Sequence, residues 1–314
     1  MNWKKKLAIG AGVITTTTVA LHLINKYILT SAKQNKSLEY IPDLYYEWKF
    51  GEISYKKQGK GDPILLVHDL TTYSSGYEWN KVASLLAETN TVYSIDLLGC
   101  GNSDKPNLTY TNFLYVQLIN DFIKNVIGDN TTVIVTGESS SFIIAAAVNN
   151  KDIIKDIIMV NPMDINILNK APNNISKYIA KFINTPVFGT FFYNMMTKKK
   201  KTEDLFHTDY FFDFSSIDEE MVKIYYETAH ADGSKHLFAS LSGFYTTLDV
   251  SHCLKKLDNN ITIIIGDDIS EYDDIAEDYR EILPSIKIKK IEETKYLPHL
   301  EKPEKFVEKI KNHC

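Results

Sequence analysis

At 314 residues the chain is long enough for one large domain carrying an insertion, or for two small ones, and a hydrophobic content of 44% supplies a sizeable core. A net charge of −5 is mild for this length and gives no reason to expect a nucleic-acid partner. The three cysteines, Cys100, Cys253 and Cys314, are odd in number and lack metal-ligand spacing, so neither a disulfide framework nor a bound metal is expected.

Lys4-Lys5-Lys6 precede an uncharged run, Leu7–Asn25. At about 1.5 Å per helical residue that run matches the hydrocarbon thickness of a bilayer. Thr15–Thr18 are tolerable there because their hydroxyls can bond back to carbonyls one turn earlier. The expectation is a single-pass anchor over residues 1–30 in a bacterial cell membrane, with residues 7–25 in the bilayer and a polar linker over 31–43. A cleaved signal peptide ending near Thr30-Ser31-Ala32 is the competing reading, but the apolar run exceeds the usual length and no sharp cleavage pattern follows. Lysines lie on both flanks, so the charge pattern tips only slightly toward an external domain.

Beyond the linker, Leu44–Phe50 and Ile53–Tyr55 read as an antiparallel pair of strands around Gly51-Glu52. Ile64–Val67 is short and wholly apolar, the signature of a strand buried on both faces. Helical spacing at Trp79, Val82, Leu85 and Leu86 follows, then a strand at Thr91–Ile95 and a glycine-rich loop, Asp96–Pro106. A long amphipathic helix, about Thr111 to Ile127, leads to the strand Thr132–Thr136, and Ile153–Val160 is another apolar strand. Alternating strands and helices predict βαβ units and a mostly parallel sheet with helices on both faces. Between Asn161 and Leu248 the pattern becomes aromatic, lysine-dotted and helical, which predicts a lid over the strand ends. Alternation resumes with Ile261–Ile265, a helix near Tyr272–Leu283, the strand Ile286–Ile291 and a last helix, Pro303–Lys311. The predicted division is therefore a first half of the core over 44–160, a helical lid over 161–248 and a second half over 249–314.

One stretch points to chemistry. Thr131–Asn149, TTVIVTGESSSFIIAAAVN, passes from a β-branched strand through Gly137-Glu138-Ser139-Ser140-Ser141 into an alanine-rich helix. A strand that turns sharply into a helix around a serine is a nucleophile elbow, and the tight turn needs small residues two positions either side. Gly137 and Ser141 meet that need around Ser139. The helix N-terminus would place the Ser140 amide to hold a developing oxyanion.

With this elbow in place, the chain from about Leu44 to Lys311 resembles the α/β-hydrolase superfamily, its serine esterase, peroxidase-like and carbon–carbon hydrolase branches above all. Ile64–Leu70 (ILLVHDL) looks like the oxyanion strand and loop, Asp96–Pro106 (DLLGCGNSDKP) like the segment after the next strand, and Pro298–Phe306 (PHLEKPEKF) like the tail behind the catalytic histidine. The resemblance implies an α/β-hydrolase fold with a helical lid, and acyl transfer by Ser139 with no cofactor and no metal. It assigns the oxyanion hole to the backbone amides of Leu70 and Ser140.

Three positions depart from that pattern. Asp69 stands where relatives have glycine, and a carboxylate beside an oxyanion hole opposes the developing charge. Relatives carry the acid in G-x-x-D, whereas this chain reads Gly266-Asp267-Asp268-Ile269; Asp268 is the candidate, with Asp267 and Asp164 as alternatives. The usual catalytic histidine is Tyr296, a phenol whose ordinary pKa of about 10 does not suit it to deprotonate serine. His299, three residues on, is the nearby imidazole. The expected triad is therefore Ser139, His299 and Asp268, in a membrane-anchored serine hydrolase acting on a small, apolar ester or acyl substrate. The alternative is a catalytically impaired relative, a pseudoenzyme, that binds a ligand or partner through the lid cleft.

Overall fold

The computed structural model describes residues 3–33 and 44–311, with the backbone alone for residues 4–14. Eight strands form one sheet: β1 (Leu44–Trp48), β2 (Gly51–Gly59), β3 (Pro63–Val67), β4 (Thr91–Ile95), β5 (Thr131–Thr136), β6 (Ile154–Val160), β7 (Asn260–Gly266) and β8 (Lys287–Ile291). Their order is β1-β2-β4-β3-β5-β6-β7-β8. β1 and β2 form the antiparallel pair and β2 runs antiparallel to β4; every later pairing is parallel. The expected strands lie within a few residues of these.

Period-two alternation sends successive side chains of each strand to opposite faces, which is why the central parallel strands β3, β5 and β7 carry runs that are apolar on both faces. On one face Leu65, Val67, Val133, Val135, Ile261, Ile263 and Ile265 pack with α3 (Asn112–Phe122), α4 (Ser139–Asn149) and the later α12 (Glu271–Ile282). On the other, Ile64, Leu66, Ile134, Ile158 and Ile264 meet Trp79, Val82 and Leu86 around α2 (Asn80–Leu86), and Phe306 and Ile310 of α14 (Pro303–Lys311). Each such side chain contributes about 1.5–3 kcal/mol by leaving water. The helix expected to reach Ile127 leaves α-geometry after Phe122, runs as a π-turn over Ile123–Ile127, and ends at Gly128 with φ +74°.

Between β6 and β7 lie α5 (Ile165–Leu168), α6 (Asn174–Asn184), α7 (Phe188–Met196), α8 (Lys199–Leu205), α9 (Glu219–Ala229), α10 (Ser234–Ser242) and α11 (Ser251–Leu254). A short α13 (Pro298–Glu301) precedes α14.

The amino-terminal run is helical, as α1 (Trp3–Ala32). Among the described residues, however, no helix is long and apolar enough to cross a membrane, so the expected transmembrane anchor at residues 7–25 lacks structural support. Asn25 is buried, donates from Nδ2 to the Val187 carbonyl (2.9 Å) and accepts from Asn194 Nδ2 (3.1 Å). Ala32 is buried too, and Lys33 pairs with Asp232 at 2.7 Å. The last turns of α1 are thus docked on the lid. Of the expected linker, residues 34–43 lie outside the described residues.

Candidate active site

The parallel strands deliver their loops to one end of the sheet, the edge at which open α/β folds hold ligands. The glycine-rich loop after β4 is a self-contained brace. Asp96 accepts from the amides of Gly76 (2.6 Å) and Asn102 (2.7 Å), and Ser103 Oγ donates to the Asp96 carbonyl (2.6 Å). His68, after β3, is also structural. The Leu97 amide donates to its Nε2 (3.0 Å), which leaves the proton on Nδ1 for the Asp69 carbonyl (2.6 Å). Burial holds its pKa below the ordinary imidazole value.

The elbow pivots on a different residue from the one expected. β5 ends at Thr136, Gly137 takes φ +59°, and Glu138 is already helical at φ −60°, ψ −33°. A nucleophile elbow holds its reactive residue in that strained turn, so the nucleophile's place here is occupied by Gly137, which has no side chain. Ser139 lies two residues into the helical turn, wholly buried, and its Oγ has no hydrogen-bond partner among the described residues. Ser140 is no free oxyanion donor either, since its amide donates to the Gly137 carbonyl at 3.2 Å. The two amides that flank the pivot are those of Leu70 and Glu138.

Both are taken by Asp69. Its Oδ1 accepts from Leu70 N (2.8 Å) and Glu138 N (2.8 Å), and its Oδ2 accepts from the Tyr296 hydroxyl (2.7 Å). A Cβ placed on Gly137 would overlap both the Asp69 carboxylate and the Tyr296 hydroxyl. The carboxylate thus occupies both amides, and the phenol at the usual histidine position closes its remaining side. Burial pushes Asp69 up, while its bonds to Tyr296 and the two amides pull it back. Tyr296 is driven well above the ordinary phenol value by burial and by the Asp69 charge, so it stays a donor.

The expected triad is not assembled. His299 is wholly buried, stacked on Trp79 with ring centroids 4.0 Å apart and lying beside Phe306. Neither ring nitrogen has a partner among the described residues, and burial pushes its pKa down to about 3. It is a neutral core imidazole. Asp268 is partly exposed, with its carboxylate 4.0 Å from Lys295 Nζ. Asp267 accepts from the Glu293 amide (2.6 Å), and Asp164 caps α5 by accepting from Asn166 N (2.7 Å). Asp267 and Asp164 are thus occupied in a turn and a cap, and Asp268 lies against Lys295.

Two further acids, not singled out in the sequence, lie near Asp69. Glu78 is buried with its pKa well above the usual carboxylate value through desolvation, and Glu138 is raised to about 8 for the same reason, with Asp69's charge adding in both cases. Over them the lid is shut: Phe206, Tyr210, Phe211 and Tyr225 form a buried cluster with Leu297 and Leu300, and Tyr210 stacks on Tyr296 at 5.5 Å. The clue to this site was a pair of departures. Asp69 and Tyr296 each break the family pattern, and together one accepts what the other donates.

A parallel sheet with a brace loop, a strand–turn–helix elbow and a lid at the carboxyl edge defines a hydrolase-fold protein. The profile of the alpha/beta hydrolase family matches residues 64–309, and the chain belongs to that family. It is 36% identical over 75 residues to 2-hydroxy-6-oxo-6-(2'-aminophenyl)hexa-2,4-dienoic acid hydrolase of Metapseudomonas resinovorans, a match covering 23% of this chain and 26% of that one. To soluble epoxide hydrolase of Corynebacterium sp. (strain C12) it is 28% identical over 107 residues, 34% of this chain and 37% of the relative. The matches thus span about a quarter to a third of these curated relatives. Carboxylesterase CesB of Bacillus subtilis superimposes with a TM-score of 0.66 at 13% identity, covering 93% of this chain and 98% of that structure, a likeness of fold.

Proposed function

We propose that this chain keeps the hydrolase fold as a binding scaffold and does not carry out acyl transfer. The observation that carries the reading is Asp69, bonded to both amides of the oxyanion hole and to Tyr296. A tetrahedral intermediate needs those amides free and a base beside the nucleophile. Here a negative or proton-sharing carboxylate stands in the first position and a phenol in the second, while the elbow offers no side chain. The surface left for function is the outside of the lid.

The test is a fluorophosphonate probe on folded wild-type protein, with p-nitrophenyl esters from acetate to longer chains. No labelling, and hydrolysis no faster than in buffer, is the expected result; labelling at Ser139 overturns the proposal. A second reading is favoured by family membership and by relatives named as hydrolases: a serine hydrolase forming an acyl-enzyme on Ser139 with a small apolar ester. It requires Ser139 and His299 to leave their buried positions. Under it, Ser139→Ala abolishes labelling and His299→Ala reduces it by orders of magnitude.

A further inference from the structure

The outer side of the lid exposes an apolar surface that the fold does not use. α6 is fixed at its start by a capping box between Asn173 and Ser176, and buries Ser176, Ala180 and Ile183 against the body of the lid. At 100° per residue these fall on one side of the helix. Ile175, Tyr178, Ile179 and Phe182 share a second side and stand in solvent, with Ile175 74% and Tyr178 73% exposed. Lys177 and Lys181 occupy a third strip between the two. On α7 the exposed residues Phe188, Phe192, Met195 and Met196 recur at i, i+4, i+7 and i+8, which is again one stripe. Phe182 and Phe192 meet edge to face at 5.7 Å, so the two stripes form one patch. α1, which docks on this part of the lid, adds exposed Val19, Leu23 and Tyr27.

Soluble proteins rarely leave so many large apolar side chains together. The charge around the patch selects what covers it. Along α6 and α7, residues 174–196, Lys177 and Lys181 are the charged residues and no acid occurs, in a chain whose net charge is −5. A second copy of the chain would bring the same cations against these. A negatively charged lipid surface satisfies both features, since an in-plane amphipathic helix seats its apolar strip below the headgroups and its lysines among them.

We propose that α6 and α7, with the exposed side of α1, form a docking surface for an anionic lipid bilayer, on which the protein lies without the lid crossing it. The site at Asp69 plays no part in this, and the two proposals fail independently.

The experiment uses the full chain and sucrose-loaded vesicles, either phosphatidylglycerol mixed with phosphatidylcholine or phosphatidylcholine alone. Wild type is expected to sediment with the anionic vesicles and to bind at least tenfold more weakly in 0.5 M than in 0.05 M salt, the screening expected of a lysine rim. Ile175→Asp with Phe182→Asp, and separately Lys177→Glu with Lys181→Glu, should each weaken binding about tenfold or more. All four positions are exposed, and an unchanged thermal melt checks the fold. Tyr178→Trp gives an independent reading, because brominated acyl chains should quench its fluorescence beyond the wild-type background. Equal binding by the α6 variants, equal binding to neutral vesicles, no binding by wild type, or an unquenched Trp at 178 overturns the proposal. So does a solution dimer that the same substitutions dissolve, which would make a second copy the occupant.

Discussion

Two side chains near the closed site titrate in opposite senses, and that makes their roles separable. Glu138, raised to about 8, is protonated in the folded chain well above the ordinary value of 4.5 at which the unfolded chain ionises. Its contribution to stability is fully present below about 4.5 and is lost as pH rises through 8, on the order of 5 kcal/mol at about 1.4 kcal/mol per pH unit. His299, lowered to about 3, behaves the other way: its contribution is present above the ordinary 6.5 and is lost as pH falls toward 3. Urea midpoints measured from pH 4 to 8.5 should therefore show a summit between the two limbs. Glu138→Gln should flatten the alkaline limb in part, because Glu78 is raised by the same burial. His299→Phe, which can keep a stack on Trp79, should flatten the acid limb. A His299 acting as a base would instead resist replacement by Phe without loss of activity.

At the level of elements, α1 and α7 hold each other in a strained arrangement. α7 begins from a tight turn in which the Phe188 amide donates to the Pro186 carbonyl at 2.7 Å, with Val187 between them at φ +62°, ψ −68°. That is the rare γ-turn with positive φ, and a β-branched residue there costs about 1–3 kcal/mol. Asn25 of α1 pins the same Val187 carbonyl. Val187→Gly should raise stability by about 1 kcal/mol, read as a higher urea midpoint. Removing residues 1–33 should do the reverse locally, leaving Asn194 without its Asn25 partner and speeding amide exchange in the first turn of α7 while the sheet stays protected. This docking was invisible in the sequence, where Asn25 simply ended an apolar run. The γ-turn was equally hidden, because nothing in Thr-Pro-Val-Phe demands positive φ.

Over the whole molecule, legibility followed physical scale. The sheet could be read because runs such as Ile64–Val67 and Ile261–Ile265 are apolar on both faces, and only burial between two helix layers explains that. The lid could be read as an interruption of the alternation. The site could not, because it turns on a backbone detail: both Gly137 and Ser139 sit in a string compatible with an elbow, and a shift of two residues decides which one occupies the strained position. The lid's aromatic content was likewise ambiguous. Phe206, Tyr210 and Tyr225 went to a sealed cluster, whereas Tyr178 and Phe182 went to solvent, and composition alone does not divide them.

The three-way contact of Asp69, Gly137 and Tyr296 also acts as a ratchet on descent. A serine at 137 collides with both neighbours while they remain. A glycine at 69 strips two amides and a buried hydroxyl of their acceptor, and a histidine at 296 gives up the donor that closes the carboxylate. Each step back toward a catalytic pattern is therefore a loss when taken alone. Measured by urea unfolding, Asp69→Gly, Gly137→Ser and Tyr296→His should each destabilise by about 1–3 kcal/mol, and the triple variant by clearly less than their sum. From this arrangement, none of these three single substitutions runs downhill.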